Sequence, residues 1–318
     1  MPTPPDAVTA WGPATLSNLG PGFDALGLCV TGRGDRVTAW RTDVPGVAVE
    51  AAPPFPADDR NTAGAAAASV LRASGAAGGV ALRVEKGIPL GSGVGGSAAS
   101  AVAGAWAVNE ALGRPFGRTD LVAAVLDGEA AAGSRHGDNV LPALLGGLVL
   151  VSPADPAEHR RLALPAPPPL PVLLPRVRVL TCAARAALPA TVAHADAAAQ
   201  AAELAFLLDA LAAGDWDRAG RHLVRDRLAE PHRAPLVPVY DAVRRAALDA
   251  GAAGCALSGS GPALFALPGR GADPQAVLDA MRAASVAGGV AADGWLARVD
   301  PEGVRTVPTP TGAAPPSP

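Results

Sequence analysis

The longest stretch without a charged residue runs from Gly87 to Asn109, 23 residues, and it constrains the fold more than any other segment. It is long enough to cross a bilayer, yet it opens with Gly, Pro and Ser and continues mostly in small side chains. Its first half, Gly87-Ile88-Pro89-Leu90-Gly91-Ser92-Gly93-Val94-Gly95-Gly96-Ser97-Ala98-Ala99, reads as a glycine loop running into a buried helix predicted over residues 97–112. Glycines let backbone N–H groups approach an anion closely. The free N–H groups and positive dipole end of the first helical turn point back at the loop. Together these features predict a phosphate cradle, with Ser97 placed to cap the helix or to hold a magnesium ion that rides on phosphates.

Other readings of the same glycines compete. Gly91, Gly93 and Gly96 match GxGxxG, which alone is a weak signal. A dinucleotide site asks for a strand just before the first Gly and an acidic residue about 20 positions on, whereas Pro89 precedes the loop and Gly113-Arg114-Pro115-Phe116-Gly117 leads into another helix. A Walker P-loop needs Gly-Lys-Ser/Thr, and Lys86, the one lysine in the chain, lies outside the glycines. A plain glycine-rich turn remains open in a chain with 37 Gly.

The 318 residues suggest two domains. At 49% hydrophobic and 17% charged, most of the chain is expected to be ordered. A net charge of −3 with no Lys/Arg cluster, and 3% aromatics, argue against nucleic-acid binding. Cys29, Cys182 and Cys255 are widely spaced and odd in number, which fits a reducing cytoplasm, and the N-terminus shows no signal-peptide pattern. The proline-dense stretch from Leu164 to Pro175 is the best domain boundary. It sets a first domain at residues 1–165 and a second at 166–305, with 306–318 a Pro- and Thr-rich tail expected to be disordered. Strands are predicted at 8–11, 26–30, 36–40, 79–84, 145–152, 177–181, 254–257, 263–266 and 295–299. Helices are predicted at 61–73, 97–112, 119–132, 190–213, 215–228, 236–250 and 274–284. The fold class is α+β.

A second glycine loop, Gly254-Cys255-Ala256-Leu257-Ser258-Gly259-Ser260-Gly261-Pro262, falls in the other domain. One loop per domain suggests a cleft where backbone amides meet a polyphosphate. A third segment, Pro13-Ala14-Thr15-Leu16-Ser17-Asn18-Leu19-Gly20-Pro21-Gly22-Phe23-Asp24, pairs short polar groups with turn residues.

These three segments resemble, in order and spacing, the motifs of the GHMP small-molecule kinases, and within them the homoserine kinases. Residues 13–24 are similar to that group's Pro-Ala-Thr-Ser-Ala-Asn-Leu-Gly-x-Gly-Phe-Asp, departing at Leu16 and Ser17. His136-Gly137-Asp138-Asn139-Val140-Leu141-Pro142-Ala143 resembles its His-x-Asp-Asn-x-x-Pro-Ala block, and Glu230-Pro231-His232-Arg233 its Glu-Pro-x-Arg element. Gly96 stands where the first of two serines is usual, which removes one hydroxyl from the cradle.

The resemblance implies a two-domain GHMP fold, an N-terminal nucleotide-binding domain followed by a C-terminal α/β sandwich domain. It implies ATP-dependent phosphorylation of L-homoserine to O-phospho-L-homoserine in threonine biosynthesis, by a cytoplasmic homodimer. ATP would meet Asn61, Pro89, Leu90, Gly91, Ser92, Gly93, Val94, Gly95, Gly96, Ser97, Ser258, Gly259 and Ser260. Mg2+ would be held by Ser97 and Glu129. A zwitterionic amino acid needs a guanidinium fork for its carboxylate, for which the resemblance nominates Arg185 and Arg233. Its ammonium needs a charged acceptor, Asp24. Asn18 and His136 complete the substrate set. Asn139 occupies the place of a catalytic Asp found in some GHMP kinases, and Thr181 is the other catalytic candidate. A GHMP kinase for a different alcohol and a catalytically inactive GHMP-fold binding protein share the same resemblance.

Overall fold

The structure, a computed structural model, describes residues 3–58, 60–133 and 135–309. The first half is built on two long antiparallel strands, β1 (Val8–Ser17) and β2 (Leu26–Thr42). The β-rich runs at 26–30 and 36–40, expected as separate strands, are one strand: Gly34 and Asp35 pair with Pro13 and Gly12, Val30 pairs with Ala14, and Thr31 to Arg33 between them bulge out of an otherwise continuous strand. A parallel unit follows, β3 (Gly46–Ala51), α1 (Thr62–Ser74) and β4 (Gly79–Glu85). The helix is fixed at its start by Asn61, whose side chain caps Ala63 N, and ends at Gly75 in the left-handed region. Helices α2 (Gly96–Ala111), α3 (Val122–Ala130) and α4 (Gly137–Leu145) come next, then β5 (Leu148–Val151) and β6 (His159–Leu162).

The uncharged run is explained by where α2 lies. Its Ala98, Ala99, Ala101, Val102, Ala103, Ala105, Ala107 and Val108 are all buried, against the β1–β2 surface on one side and α1 and α3 on the other. A helix enclosed all round is apolar all round, and small side chains let the neighbours close in: a Cβ on Gly104 would press on Ala63 of α1. Among the described residues no helix is long and apolar enough to cross a membrane.

The second half forms a four-stranded sheet in the order β10-β7-β9-β8, from β7 (Leu170–Pro175), β8 (Ala252–Leu257), β9 (Leu264–Pro268) and β10 (Ala292–Ala297). Between β7 and β8 run α5 (Thr181–Ala186), α6 (His194–Ala213), α7 (Trp216–Leu223), α8 (Glu230–Arg233) and α9 (Tyr240–Asp249); α10 (Pro274–Ala287) joins β9 to β10. Leu207, Leu211 and Leu223 pack with Leu170, Val172 and Phe265 on one face, while Val243, Val277 and Met281 pack with Leu173, Cys255 and Leu264 on the other. The first of these clusters also contains Ala14, Leu16, Leu26, Leu28, Ile88 and Val94 from the first half, so one core spans both sheets.

Two expectations are corrected. No strand forms at 177–181; the strand is β7, inside the proline-dense stretch taken as a boundary. Its ladder to β9 is confined to Val172–Phe265 and Leu173–Leu264, which leaves Pro171 and Pro175 outside that pairing. The tail does not start at Thr306. Strand β11 (Arg305–Val307) pairs antiparallel with β1, closing the edge of a seven-stranded sheet ordered β11-β1-β2-β4-β3 with β5 and β6 appended to β2. Thr306 Oγ1 also accepts a hydrogen bond from Trp106 Nε1 at 3.1 Å. An open strand edge offers backbone pairing whatever the composition of the partner. The remainder of the expected tail, 310–318, lies outside the described residues.

One acid inside the second half couples stability to pH. Glu230 is buried and accepts a hydrogen bond from Tyr240 Oη. Burial, with the Asp226 charge second among the raising influences, pushes its pKa from 4.5 up to about 7. The folded protein therefore keeps a proton there that the unfolded chain releases near 4.5. Stability from this group is present below that pH and is lost as pH rises toward 7. Glu230→Gln keeps an acceptor for Tyr240 and removes the titration. The variant's melting temperature, relative to the unsubstituted chain, is expected to climb between pH 5 and pH 8 in calorimetry; a difference that stays flat would show that Glu230 does not carry the proton.

Candidate active site

The glycine loop is anchored from below by one buried carboxylate. Asp35, on β2, is fully buried. Its Oδ1 accepts from Gly87 N at 3.0 Å and Ile88 N at 3.1 Å, and its Oδ2 accepts from Ser100 Oγ at 2.7 Å and from Lys86 Nζ. Lys86 also donates to Gly96 O at 2.7 Å. Both ends of the loop are thus tied to one point. Above it the loop lies flat on β1, where Thr15 N donates to Val94 O at 3.2 Å. Gly95 (φ 71°) permits this approach: a Cβ there would overlap Thr15 Oγ1 and come within 3.1 Å of Asn139 Oδ1. Gly95 is also the N-cap of α2 and supplies no capping side chain, so the first N–H groups of a sixteen-residue helix face the loop without a side-chain acceptor at the cap.

The second glycine loop braces the first. Ser258 Oγ donates to Gly93 O at 2.7 Å, Ala263 N donates to Ser92 O at 3.2 Å, and Gly259 N donates to Ser17 O at 3.0 Å. A cleft of about 450 Å³ opens between the two halves. Of the residues nominated for nucleotide, Asn61, Pro89, Leu90, Gly91, Ser92, Gly93, Gly95, Gly96, Ser97, Gly259 and Ser260 line it. Val94 and Ser258 do not; both are fully buried behind the loop, Val94 in the shared core and Ser258 as the brace. The Asn61 side chain is already engaged, accepting from Ala63 N at 3.0 Å and donating to Pro56 O at 3.1 Å.

Asn139, at the start of α4, donates from Nδ2 to Ser17 Oγ (2.9 Å) and accepts at Oδ1 from Thr15 Oγ1 (2.8 Å), so two hydroxyls of β1 fix its amide. Ser97 Oγ donates to Glu129 Oε1 at 3.0 Å, while Glu129 Oε2 is buried and has no hydrogen-bond partner among the described residues. Burial pushes Glu129 up to about 7. A buried carboxylate oxygen with no donor, beside a hydroxyl at the mouth of a glycine loop, has the oxygen chemistry of a magnesium site completed by phosphate and water. Among the described residues no cluster of three His, Cys, Asp or Glu could hold a metal by itself.

The nominated substrate residues converge on the opposite wall. The turn from Asn18 to Asp24 passes through left-handed backbone at Asn18, Leu19, Gly20 and Asp24. It is closed by Asp24 N donating to Asn18 Oδ1 at 3.2 Å, and Asn18 Nδ2 reaches across to Gly259 O at 3.2 Å. Asp24 receives a two-pronged bond from Arg185, at 2.8 and 3.2 Å. Arg185 Nη2 also donates to His136 Nε2 at 2.8 Å; that nitrogen must then carry a lone pair, and burial lowers the His136 pKa in the same sense. Arg233 is 4% exposed, and among the described residues no carboxylate pairs with it; Nη1 donates to Gly259 O at 2.9 Å. Both guanidinium groups lie over the Phe23 ring, 5.3 and 5.0 Å from its centre. Thr181 opens α5 on the cleft wall, one turn from Arg185.

Four residues outside the sequence-based set belong to this arrangement. Asp138 lines the cleft, is 4% exposed and is pushed up to about 6, by burial first and then by Asp24. Its signal was in the His136–Asn139 block itself. Lys86, sole lysine and neighbour of the loop, was visible too. Thr15 stood within the polar segment at 13–24, though nothing there showed that it would fix Asn139; Asp35 had no local signal, since it acts through partners distant in the chain.

Comparison with known proteins agrees with this geometry. The GHMP kinases N terminal domain model matches residues 61–147, and the GHMP kinases C terminal model matches residues 207–287. A homoserine kinase from Xylella fastidiosa (strain 9a5c) is 41% identical over 306 residues, covering 93% of this chain and 92% of the relative. One from Pyrococcus abyssi is 38% identical over 288 residues, covering 91% and 96%. The crystal structure of homoserine kinase from Cytophaga hutchinsonii superposes with a TM-score of 0.91 at 37% identity, covering 96% of this chain and 99% of that one. With a glycine loop on β1, a bracing loop from the second sheet and two arginines facing them across one cleft, the chain belongs to the homoserine kinases of the GHMP kinase family.

Proposed function

We propose that this chain transfers the γ-phosphoryl group of ATP to the hydroxyl of L-homoserine, giving ADP and O-phospho-L-homoserine. The observation that carries the substrate is the charge pattern of the cleft wall. Arg233 is a buried guanidinium lacking a carboxylate, and a buried cation without its anion is costly unless a ligand supplies one. Beside it, Asp24 and Arg185 satisfy each other. An α-amino acid presents the same two charges, so its carboxylate can take the fork of Arg233 and share that of Arg185 while its ammonium meets Asp24.

The chemistry asks for positioning and charge neutralisation more than for a base. Backbone N–H groups of residues 91–97 and the start of α2 receive the phosphates. Ser97 and the free oxygen of Glu129 would hold Mg2+, which would supply positive charge to offset that of the phosphates. Asn139, locked by Thr15 and Ser17, orients the acceptor hydroxyl without exchanging a proton. Transfer is in line, and the hydroxyl proton leaves to phosphate or solvent. ADP release measured with L-homoserine against a panel of small alcohols tests the assignment. Release with another alcohol alone would assign a different GHMP kinase; release with none would assign a binding protein.

Three substitutions separate the parts. Ser97→Ala is expected to raise the magnesium requirement roughly tenfold, with partial rescue at high magnesium; an unchanged magnesium titration removes Ser97 from the site. Gly95→Val drives a branched side chain into Thr15 and strains a left-handed position, so the variant is expected to lose ATP binding in calorimetry; normal affinity in a folded variant contradicts the cradle. Arg233→Ala is expected to lower kcat/KM for homoserine by about 30- to 1000-fold, the scale of about 2–4 kcal/mol for a lost charge-assisted bond. The methyl ester of homoserine, lacking the anion, should be hurt much less. Equal losses on both substrates would show that Arg233 does not read the carboxylate.

A further inference from the structure

A single amide joins the two arms of the substrate wall. Gln200 sits in the first half of α6, where most neighbours are exposed, yet it is itself 6% exposed. Its Nε2 donates to Pro21 O at 3.0 Å and to Asp226 Oδ1 at 2.8 Å, and its Oε1 accepts from Arg227 N at 2.8 Å. Pro21 belongs to the left-handed turn between Asn18 and Asp24. Asp226 is the cap of the segment that carries Arg233: its two oxygens accept from Leu228 N (2.9 Å), Ala229 N (3.2 Å) and Glu230 N (2.6 Å) at the entry to α8. The amide therefore has one hand on the turn that presents Asp24 and the other on the cap that presents Arg233. At the cleft the turn is also tied to the second half by Asn18 reaching Gly259 and by the fork of Arg185 on Asp24; the Gln200 joint is the tie that leads to the segment carrying Arg233.

We propose that Gln200 is a positioning residue for the amino-acid substrate, fixing the separation between Asp24 and Arg233 without touching the ligand itself. A carboxylate and an ammonium on one carbon are held at a short fixed distance, so their two receptors must be set apart to match. Asp24 is carried by a turn whose backbone is left-handed at four positions, and Arg233 by a single helical turn; neither element is long enough to hold its own place. A primary amide suits the joint because it donates twice and accepts once there, using a carbonyl, a carboxylate and an N–H that no apolar side chain can satisfy. The nucleotide loops have their own anchors in Asp35 and Ser258, so a fault at Gln200 should reach the amino acid and spare ATP.

The proposal rests on the homoserine reading, and kinetics keep the two apart: turnover of homoserine by the unsubstituted protein tests the reading, while the ratio of variant to unsubstituted constants tests Gln200. Gln200→Met keeps size and removes all three bonds. It is expected to raise the homoserine KM about tenfold, the scale of one or two buried hydrogen bonds, with the ATP KM within about twofold. Gln200→Asn keeps the amide but loses one methylene of reach, and is expected to shift the same constant by less; it carries the test if the Met variant does not fold. In an Arg233→Ala background the Gln200→Met effect on homoserine should shrink, because one of the two receptors it spaces is gone. Equal rises in both KM values, a lowered melting temperature with an unchanged homoserine KM, or full additivity with Arg233→Ala would each overturn the proposal and leave Gln200 a structural residue.

Discussion

The site depends on a glycine loop lying flat against a buried strand. Thr15 binds the backbone of Val94, and Gly95 leaves no atom between the loop and the strand. Once that contact is made, the rest is placed by consequence. The start of α2 is aimed at the cleft, Asn139 finds the two hydroxyls of β1, and Ser97 comes within reach of Glu129. The strand can serve this way because α2 packs against it, Ala14 and Leu16 sit in the shared core, β2 pairs along one edge, and β11 takes only Thr9 to Trp11 of the other, leaving the edge at Thr15 to the loop.

Charge in the cleft is arranged around desolvation. Asp35 is the most buried of the acids and has four donors, among them the one lysine. Glu129 and Asp138 are buried with less compensation and are pushed upward for that reason. Arg233 is the opposite case, a buried cation whose hydrogen bonds, among the described residues, go to carbonyls, with the Phe23 ring against its face. Groups left unbalanced in this way are costly to the fold and are what a charged ligand can balance. Under the proposed function, metal-bearing phosphates would answer Glu129, and the substrate carboxylate would answer Arg233.

Much of the architecture was legible in the chain. The alternation of β-rich runs with turns located most strands, and the small-residue helix after the glycine loop needed no partner to be recognised. The helices predicted from 61 and 274 do begin there, capped by the side chains of Asn61 and Asp273. Short elements escaped: α5 and α8 are four to six residues long, too brief for periodicity, and their stability comes from the cap at Asp226 and from packing. Strand β7 escaped because proline signals a break unless its missing donor falls where no ladder runs.

The sequence by itself determined the chemistry available: two glycine loops, a block with His136, Asp138 and Asn139, two arginines suited to a carboxylate, and one lysine. The loops, the block and the lysine are properties of residue type and local spacing; the two arginines are singled out among many by the resemblance. Only the tertiary structure decided which of them act together. Arg185 and Asp24, 161 positions apart, meet as a pair; Ser258 and Val94 turn from the cleft to hold the loop from behind; Asn61 spends its amide on a cap. Local patterns fix backbone geometry over a few residues, whereas burial and pairing are set by what the rest of the chain brings alongside. That is why a buried hub such as Asp35 or Gln200 leaves no mark in the sequence around it.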